Sequence, residues 1–376
     1  MKKNGFITSA FLYGMLALFI ALMLSTLAIM ANRKISMDNL RDDAITNMKK
    51  ESVSDDKSAS EVIVEKTEEE KKEVGIVEDN NIDKNYTEKK EDNSLGGDGK
   101  RYVYQGASPK NYVLFNEELW RIMAIEANGK LKITKDSLIA AGVVYDERNH
   151  RSSDYCYASS GCNAWGSITT SYDNTGTEHI TGMSIKENGT KFNLPEKEST
   201  LAIYLNNDYY NDLRDFAKAL IADDGGTFNV GAIKLDSNQD LATDIEQVSS
   251  VKWKGKIGVP DVTEYVKASN NAECKSFSQG AILASGNKCR ENNYLYVPAE
   301  DGVGKTWQLS TPKMGTVTDV YSVRPGDNNK NNDGYIANQQ AWYGASIRPV
   351  IYLKPNLSIK QGDGSKENPY VFEVKS

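Results

Sequence analysis

In the stretch Tyr112-Val-Leu-Phe-Asn-Glu-Glu-Leu-Trp-Arg-Ile-Met-Ala-Ile125, two apolar segments flank a short polar one. Residues 112–115 and 120–125 are rich in aromatic and β-branched side chains, and the polar residues 116–118 between them are typical of a turn. We therefore expect a β-hairpin at this point. Residues 130–134 follow with alternating polar and apolar side chains, which predicts a third strand.

More strands are expected towards the C-terminus, and a few helices before them. Residues 347–353 are typical of a strand, and Pro349 inside them predicts an edge or bulged strand because proline cannot donate a ladder hydrogen bond. Residues 369–374 form the last expected strand. Residues 199–220 carry apolar side chains at spacings of three or four, which predicts one amphipathic helix or two short ones, and another helix is expected to begin near Asp261. The predicted class is α+β, with a loop-rich, mainly-β head and a few helices.

The N-terminus is uncharged over a long stretch. Residues 4–32 contain no charged side chain, and two lysines precede them. A membrane-spanning helix needs about 20 apolar residues, whereas a cleaved signal peptide has an apolar core of only about 7 to 15. We therefore predict that residues 1–45 form a transmembrane anchor helix with single-pass attachment to the cell membrane.

The orientation of this anchor depends on charges at both of its ends. Lys2 and Lys3 before the apolar run favour a cytoplasmic N-terminus, while Arg33, Lys34 and Arg41 after it argue the other way. Long domains translocate largely regardless of charge, so charge alone does not decide the orientation. The start of the chain and the cysteines, both considered below, favour a cytoplasmic N-terminus with the bulk of the chain outside the cell.

The next segment is acidic and poor in apolar side chains. Residues 51–100 hold sixteen acidic and eight basic residues, and Tyr86 is their single aromatic residue. Such a segment buries too little apolar surface to offset the entropy of ordering. Residues 46–99 are accordingly predicted to be a disordered stalk, either a solvated linker or an acidic docking segment. The head, residues 100–376, is long enough for one large domain or two small ones.

Four cysteines lie in the head, and local pairing of Cys156 with Cys162 and of Cys274 with Cys289 is the natural expectation. Four cysteines allow three connectivities, which the sequence does not distinguish. Disulfides persist in oxidising compartments, so paired cysteines favour an extracellular head. Free thiols and zinc ligation are the alternatives, but the spacings match no common zinc site.

One asparagine-rich loop resembles a calcium-binding loop. Asn329, Asn331, Asp333 and Gly334 fall at its first, third, fifth and sixth places. Gln340 stands at the twelfth place, where a bidentate glutamate is usual. Ca²⁺ is therefore the one cofactor considered for this chain, and an asparagine-rich turn without an ion is the alternative.

The motifs that would indicate other function classes are missing. No basic cluster or nucleic-acid-binding motif is found, so a nucleic-acid partner is not expected. The sequence contains no Gly-x-Ser-x-Gly and no His-Glu-x-x-His motif, and His150 and His179 are its only histidines. No catalytic residue is therefore predicted. The five tryptophans and twenty tyrosines would suit a sugar or protein surface, but most such rings pack in cores.

The start Lys2-Lys-Asn-Gly-Phe6 resembles the leader of type IV pilin-like proteins, in which a prepilin peptidase cuts between glycine and phenylalanine. The resemblance implies processing between Gly5 and Phe6. The family usually has glutamate at the fifth mature position, where this chain has Ala10.

The head resembles an extracellular domain of unknown function found in Gram-positive gut bacteria, which often follows a pilin-like anchor. The resemblance implies a surface location and no particular activity. The ending around Trp307 and Arg348-Pro-Val also distantly resembles the C-type-lectin and formylglycine-generating-enzyme folds. Six segments carry the first resemblance: 111–122, 204–210, 253–258, 307–310, 347–354 and 362–370.

From these features we expect a single-pass, membrane-anchored cell-surface protein whose extracellular head binds a glycan or a protein. A pseudopilin-like structural subunit of a surface filament or secretion system is the alternative. An extracellular enzyme is the third hypothesis, and it lacks a recognisable catalytic motif.

Overall fold

The hairpin predicted from residues 112–125 is confirmed in the computed structural model. Strands β3 (Tyr112–Phe115) and β4 (Glu118–Ile125) pair antiparallel, with Phe115 opposite Glu118. The two loop residues, Asn116 and Glu117, have φ angles of 54° and 65°. A two-residue hairpin loop of the type I′ class needs positive φ at both positions. Arg214 stabilises this loop from outside, since its backbone N–H donates to Asn116 Oδ1 at 2.9 Å.

The structure describes 15 stretches of the chain. They are residues 57–66, 68–82, 99–147, 163–165, 171–172, 178–179, 198–234, 240–272, 274, 288–290, 292–297, 306–314, 316, 318–324 and 335–375.

The remaining strands and the helices are as follows in chain order. The strands are β1 (Ile76–Glu78), β2 (Tyr102–Tyr104), β5 (Leu131–Lys135), β6 (Ile139–Val144), β7 (Ser171–Tyr172), β8 (Glu178–His179), β9 (Gly226–Asn229), β10 (Lys252–Gly255), β11 (Ile257–Gly258), β12 (Trp307–Pro312), β13 (Asp319–Arg324), β14 (Tyr335–Gln340), β15 (Gly344–Ile347), β16 (Val350–Leu353), β17 (Leu357–Gln361) and β18 (Val371–Val374). The α-helices are α1 (Ala59–Val64), α2 (Glu68–Val74), α3 (Thr200–Tyr204), α4 (Tyr210–Asp212), α5 (Asp215–Leu220), α6 (Leu241–Ser249) and α7 (Val262–Lys267), with a π-helical turn at Leu205–Tyr209 and a 3₁₀ turn at Lys288–Arg290.

A seven-stranded antiparallel sheet is built around the predicted hairpin. Its strand order is β1-β2-β4-β5-β16-β11, and β3 pairs with β4 beside this path. A five-stranded sheet has the order β14-β13-β12-β15-β6, in which β12 and β15 are parallel and the other neighbours antiparallel. Buried side chains of both sheets belong to one hydrophobic cluster, in which Trp120 and Trp307 are among the largest.

Residues 347–353, predicted to form one edge or bulged strand, belong to two strands, and the edge alternative was wrong because both strands have neighbours on each side. Strand β15 ends at Ile347, Pro349 lies in the break, and β16 then runs between β5 and β11 in the interior of the other sheet. Proline has no N–H to donate, so it occupies the position where the chain leaves one sheet for the other. Its carbonyl is still used, since it accepts from Thr134 Oγ1 at 2.9 Å.

The predicted helices are confirmed in part. The helix expected near Asp261 is α7, and a capping box between Asp261 and Glu264 begins it. The expected amphipathic segment 199–220 forms α3, the π-helical turn, α4 and α5, with a break at Leu213, whose ψ angle is 145°. Helix α6 was not predicted from the sequence.

The predicted fold class needs correction at its N-terminal end. No helix within the described residues is long and apolar enough to cross a membrane. The segment predicted to be the anchor, residues 1–45, lies outside the described residues. What the described part shows is a mainly β structure with short helices.

The prediction of a disordered stalk over residues 46–99 was wrong for its central part. Helices α1 and α2 and strand β1 lie within it, Ile63 and Ile76 are buried, and β1 pairs with β2. The apolar residues of this segment are few, but they add to a core that the head already supplies. Composition averaged over the segment could not reveal this. A capping box between Ser58 and Glu61 begins α1 and is the local signal that composition hides.

Candidate functional site

Two aromatic side chains project from the surface in the turn between β14 and β15. Trp342 is 47% exposed and Tyr343 is 51% exposed, and their rings stack with centroids 4.8 Å apart and an interplanar angle of 27°. Scattered exposed apolar residues are normal, but contiguous exposed aromatic surface marks an interaction site. We call these two side chains the aromatic platform.

The turn holds the aromatic platform in a fixed place. The indole N–H of Trp342 donates to Gln340 Oε1 at 2.8 Å, and the backbone N–H of Tyr343 donates to the Gln340 carbonyl at 3.0 Å. Ala341 before them is fully buried, and its N–H donates to the Thr318 carbonyl at 2.7 Å. The rings are therefore presented from an anchored backbone, which reduces the entropy that a ligand must overcome on binding.

Amide side chains along β14 lie beside the platform. Asn338 and Gln340 share one face of the strand, since residues two apart in a strand point the same way. Asn338 Nδ2 donates to Asp319 Oδ2 at 2.8 Å. Within the described residues, Gln340 Nε2 and Asn338 Oδ1 have no hydrogen-bond partner. One donor and one acceptor are thus available next to two rings.

This arrangement can bind a ligand that has both a C–H face and polar edges. The face of an aromatic ring carries negative partial charge and so attracts weakly positive C–H groups. The amides offer hydrogen bonds to hydroxyl or carbonyl groups at the rim. No charged side chain is needed for either contact, so the platform suits a neutral ligand.

A buried ionic network links the N-terminal segment to the rest of the domain. Arg101 contacts Asp79 and donates through Nε to Glu126 at 2.9 Å, and Lys267 Nζ lies 2.7 Å from Asp79 Oδ2. Burial alone would raise the pKa of Asp79, but the charges of Lys267 and Arg101 outweigh it and hold that pKa below its usual value. Burial lowers the pKa of Lys267, and we regard the pair as ionised because Asp79 has two cations beside it.

The cavity beside this network is too small for a ligand larger than water. Its volume is about 10 Å³, and its lining includes Arg101, Glu264 and Lys267. A cavity of that size admits one water molecule. Burial raises the pKa of Glu264 although Lys132 contacts it. The network is therefore structural.

Arg348 is fully buried, and no nitrogen of its guanidinium has a hydrogen-bond partner within the described residues. The guanidinium carbon lies 5.3 Å from the centre of the Trp307 ring, close enough for a cation–π contact. Burial lowers the pKa of Arg348 to about 10. The charge of Asp136 opposes this effect, and Arg348 remains charged at neutral pH without a hydrogen-bonded anion.

Of the residues predicted from the sequence to form sites, one pair is brought together. Cys274 and Cys289 form a disulfide with their Cα atoms 4.9 Å apart. Most of the other predicted residues lie outside the described part of the chain. These are Cys156, Cys162, the proposed calcium ligands Asn329, Asn331 and Asp333, the processing residues Gly5 and Phe6, and His150. His179 lies in β8.

Gln340, expected at the twelfth place of the calcium loop, instead supports Trp342 in the described structure. Across the stretches that the structure describes, no group of three or more histidine, cysteine, aspartate or glutamate side chains could hold a metal ion.

The aromatic platform was not predicted from the sequence, although a signal was present. Trp342 and Tyr343 are adjacent and Gly344 follows them. Adjacent residues of a strand point to opposite faces, so two neighbouring rings before a glycine are more readily accommodated in a turn than in a core. That reasoning would have singled out this pair among the many aromatic residues.

No family model, no curated protein and no solved structure matches this chain. The resemblances to pilin-like leaders and to lectin-like folds therefore stay predictions.

Proposed function

We propose that the folded domain is an extracellular glycan-binding domain that holds its ligand on the aromatic platform. The observation that carries this proposal is the stacked, half-exposed pair Trp342 and Tyr343 beside the unpartnered amide groups of Asn338 and Gln340. The Cys274–Cys289 disulfide supports the location outside the cell.

A glycan fits the platform better than a protein does. The centres of protein interfaces are desolvated and rich in apolar groups. Here two rings stand beside polar amide side chains, which suits a pyranose with one C–H face and hydroxyl groups around its rim. Neutral sugars also need no countercharge, and the two unpartnered amide groups are uncharged.

A binding screen with matched variants tests the proposal. The full-length chain should bind a subset of neutral glycans on an array, and isothermal titration with the best of them should give a saturable isotherm. Trp342→Ala and Tyr343→Ala should each weaken that binding by about fivefold or more, because losing one stacking contact costs about 1 kcal/mol. Phe216→Ala is the matched control, since Phe216 is 52% exposed at another site.

Two results would contradict the proposal. One is an array on which no glycan binds the unaltered chain. The other is glycan binding that survives the double change Trp342→Ala and Tyr343→Ala while the variant keeps its native denaturation midpoint.

A further inference from the structure

The hydrogen bond between Trp342 and Gln340 fixes the direction of the Gln340 side-chain amide. An indole N–H can only donate, and that of Trp342 donates to Gln340 at 2.8 Å. The amide atom that faces Trp342 is therefore Oε1, and Nε2 lies on the other side of the amide. Of all the residues that the structure describes, none accepts a hydrogen bond from Nε2. Gln340 is half-buried, so it offers a donor at a fixed place next to the indole.

The side-chain amide of Asn338 is oriented in the opposite sense. A carboxylate accepts hydrogen bonds and donates none, and the atom of Asn338 that lies 2.8 Å from Asp319 Oδ2 is therefore Nδ2. Oδ1 is left as the free edge of the amide, because no described residue donates to it. Thr318 Oγ1 donates to the other carboxylate oxygen of Asp319 at 3.0 Å. This bond holds the carboxylate, and with it Asn338, in place.

The free donor and the free acceptor lie at a spacing that one amide group can span. Asn338 and Gln340 point to the same face of β14 and are about 7 Å apart along the strand, since each residue advances it by about 3.4 Å. A secondary amide is planar and trans, with its N–H and its C=O on opposite edges. An amide that lies between the two side chains can therefore donate to Asn338 Oδ1 and accept from Gln340 Nε2.

The indole of Trp342 adds a contact for a small apolar group. Because Oε1 and Nε2 belong to one amide, a carbonyl bound at Nε2 lies close to the ring that donates to Oε1. Trp342 is 47% exposed, so part of its ring is open to a methyl group attached to that carbonyl. The face of an aromatic ring attracts such C–H groups. A ring hydroxyl can fill a hydrogen bond here, but it has no methyl group to place on the indole.

We propose that the aromatic platform is specific for 2-acetamido sugars, which carry an N-acetyl group in place of the hydroxyl group at C2. The N–H of that group donates to Asn338 Oδ1, its carbonyl accepts from Gln340 Nε2, and its methyl group packs against Trp342. This inference rests on the proposed glycan-binding function and names the class of sugar that the platform selects.

Two trisaccharides that differ only at C2 provide the test. Tri-N-acetylchitotriose carries an acetamido group on each ring, and cellotriose carries hydroxyl groups in their place on the same chain of β-linked glucose rings. Each is titrated calorimetrically into the full-length chain. The acetylated trisaccharide should bind about tenfold more tightly than cellotriose, the equivalent of one net hydrogen bond.

The variant Gln340→Glu tests which atom reads the acetamido group. It keeps an oxygen for the indole N–H of Trp342 and replaces the Nε2 donor with an acceptor. A hydroxyl group can turn and donate to the new carboxylate, whereas a carbonyl oxygen cannot donate at all. The variant should therefore lose about tenfold in affinity for the acetylated trisaccharide. Its affinity for cellotriose should stay nearly unchanged, which also shows that the variant is folded.

A second variant and a control complete the set. Asn338→Ala removes the acceptor and should also reduce the preference for the acetylated trisaccharide. Gln361→Glu makes the same chemical change as Gln340→Glu on a half-buried residue of β17, which belongs to another sheet. It should leave the affinity for both trisaccharides as in the unaltered chain.

The outcomes separate this inference from the proposed function. Equal binding of the two trisaccharides, or tighter binding of cellotriose, would overturn the inference and leave glycan binding in place. So would a preference for the acetylated trisaccharide that Gln340→Glu does not reduce. If neither trisaccharide binds while other glycans on the array do, the inference is overturned as well. If no glycan binds at all, the proposed function fails with it.

Discussion

Arg348 is a charged side chain in an environment that should not favour one. Its guanidinium is buried over Trp307 with no hydrogen-bond partner within the described residues. Lys132 is buried as well, but it contacts Glu264, and its ammonium lies over the rings of Phe228 and Tyr352. The two cations therefore differ in whether a carboxylate is in direct contact with them, and replacing each should have different effects.

We expect Arg348→Met to keep or raise the free energy of unfolding, because it removes a fully buried charge that the Asp136 carboxylate offsets only in part and that no hydrogen bond stabilises. Lys132→Met, in contrast, leaves Glu264 buried without its partner and should cost about 3–5 kcal/mol. Urea denaturation of both variants at neutral pH measures the difference. A loss for Arg348→Met as large as that for Lys132→Met would show that the guanidinium has a stabilising partner after all.

At the scale of elements, strand β9 approaches β16 so closely that only glycine fits at one position. A Cβ atom on Gly226 would lie 1.8 Å from a ring carbon of Tyr352. The same tyrosine donates its hydroxyl to the Thr227 carbonyl at 2.9 Å. The ring is thus held in place and cannot move aside without losing that hydrogen bond.

Gly226→Ala should therefore destabilise the domain by about 1–3 kcal/mol, the usual cost of overpacking a core. Gly142→Ala is the matched control, because a Cβ atom there would meet nothing within 4 Å. Thermal denaturation of the two variants side by side tests this. Equal midpoints would mean that Tyr352 adapts without cost.

How far the sequence predicts each element depends on whether its signal is local. The hairpin at 112–125 was predictable because both of its strands and its turn lie within one short segment. The interior position of β16 was not, because its partners Thr134 and Ile257 are distant in sequence. The ordered part of the predicted stalk was missed for the same reason, since Ile63 and Ile76 are buried by residues supplied from elsewhere. The aromatic platform had a local signal in the sequence, namely two adjacent aromatic residues before a glycine, but the large number of aromatic residues in the chain made this pair hard to single out.

At the scale of the whole molecule, Asp79 ties the N-terminal segment to α7, since Lys267 Nζ lies 2.7 Å from its carboxylate. The pKa of Asp79 in the folded chain lies below its usual value. At a pH between the lowered pKa and the usual pKa, the unfolded chain therefore binds more protons than the folded chain. Stability therefore rises with pH in this window and is lost as pH falls through it.

Asp79→Asn should be less stable than the unaltered chain at neutral pH, because buried Lys267 loses its carboxylate partner and Arg101 keeps only Glu126. Its free energy of unfolding should also fall less steeply with acid, from about pH 4 downwards, because one titrating group is gone. Urea denaturation across this pH range measures both effects. If the free energy of unfolding falls equally steeply with acid in the two proteins, Asp79 is not a source of acid sensitivity.

The strand order of the seven-stranded sheet also has a consequence for how the chain matures. Strand β16 lies between β5 and the end strand β11, so the place that joins these two strands stays unfilled until residues 350–353 have left the ribosome. Pairings this distant in sequence slow folding, and incomplete sheets expose edges that aggregate. A nascent chain arrested before residue 350 would leave β5 without one of its two neighbours, and we expect it to need a chaperone until synthesis is finished.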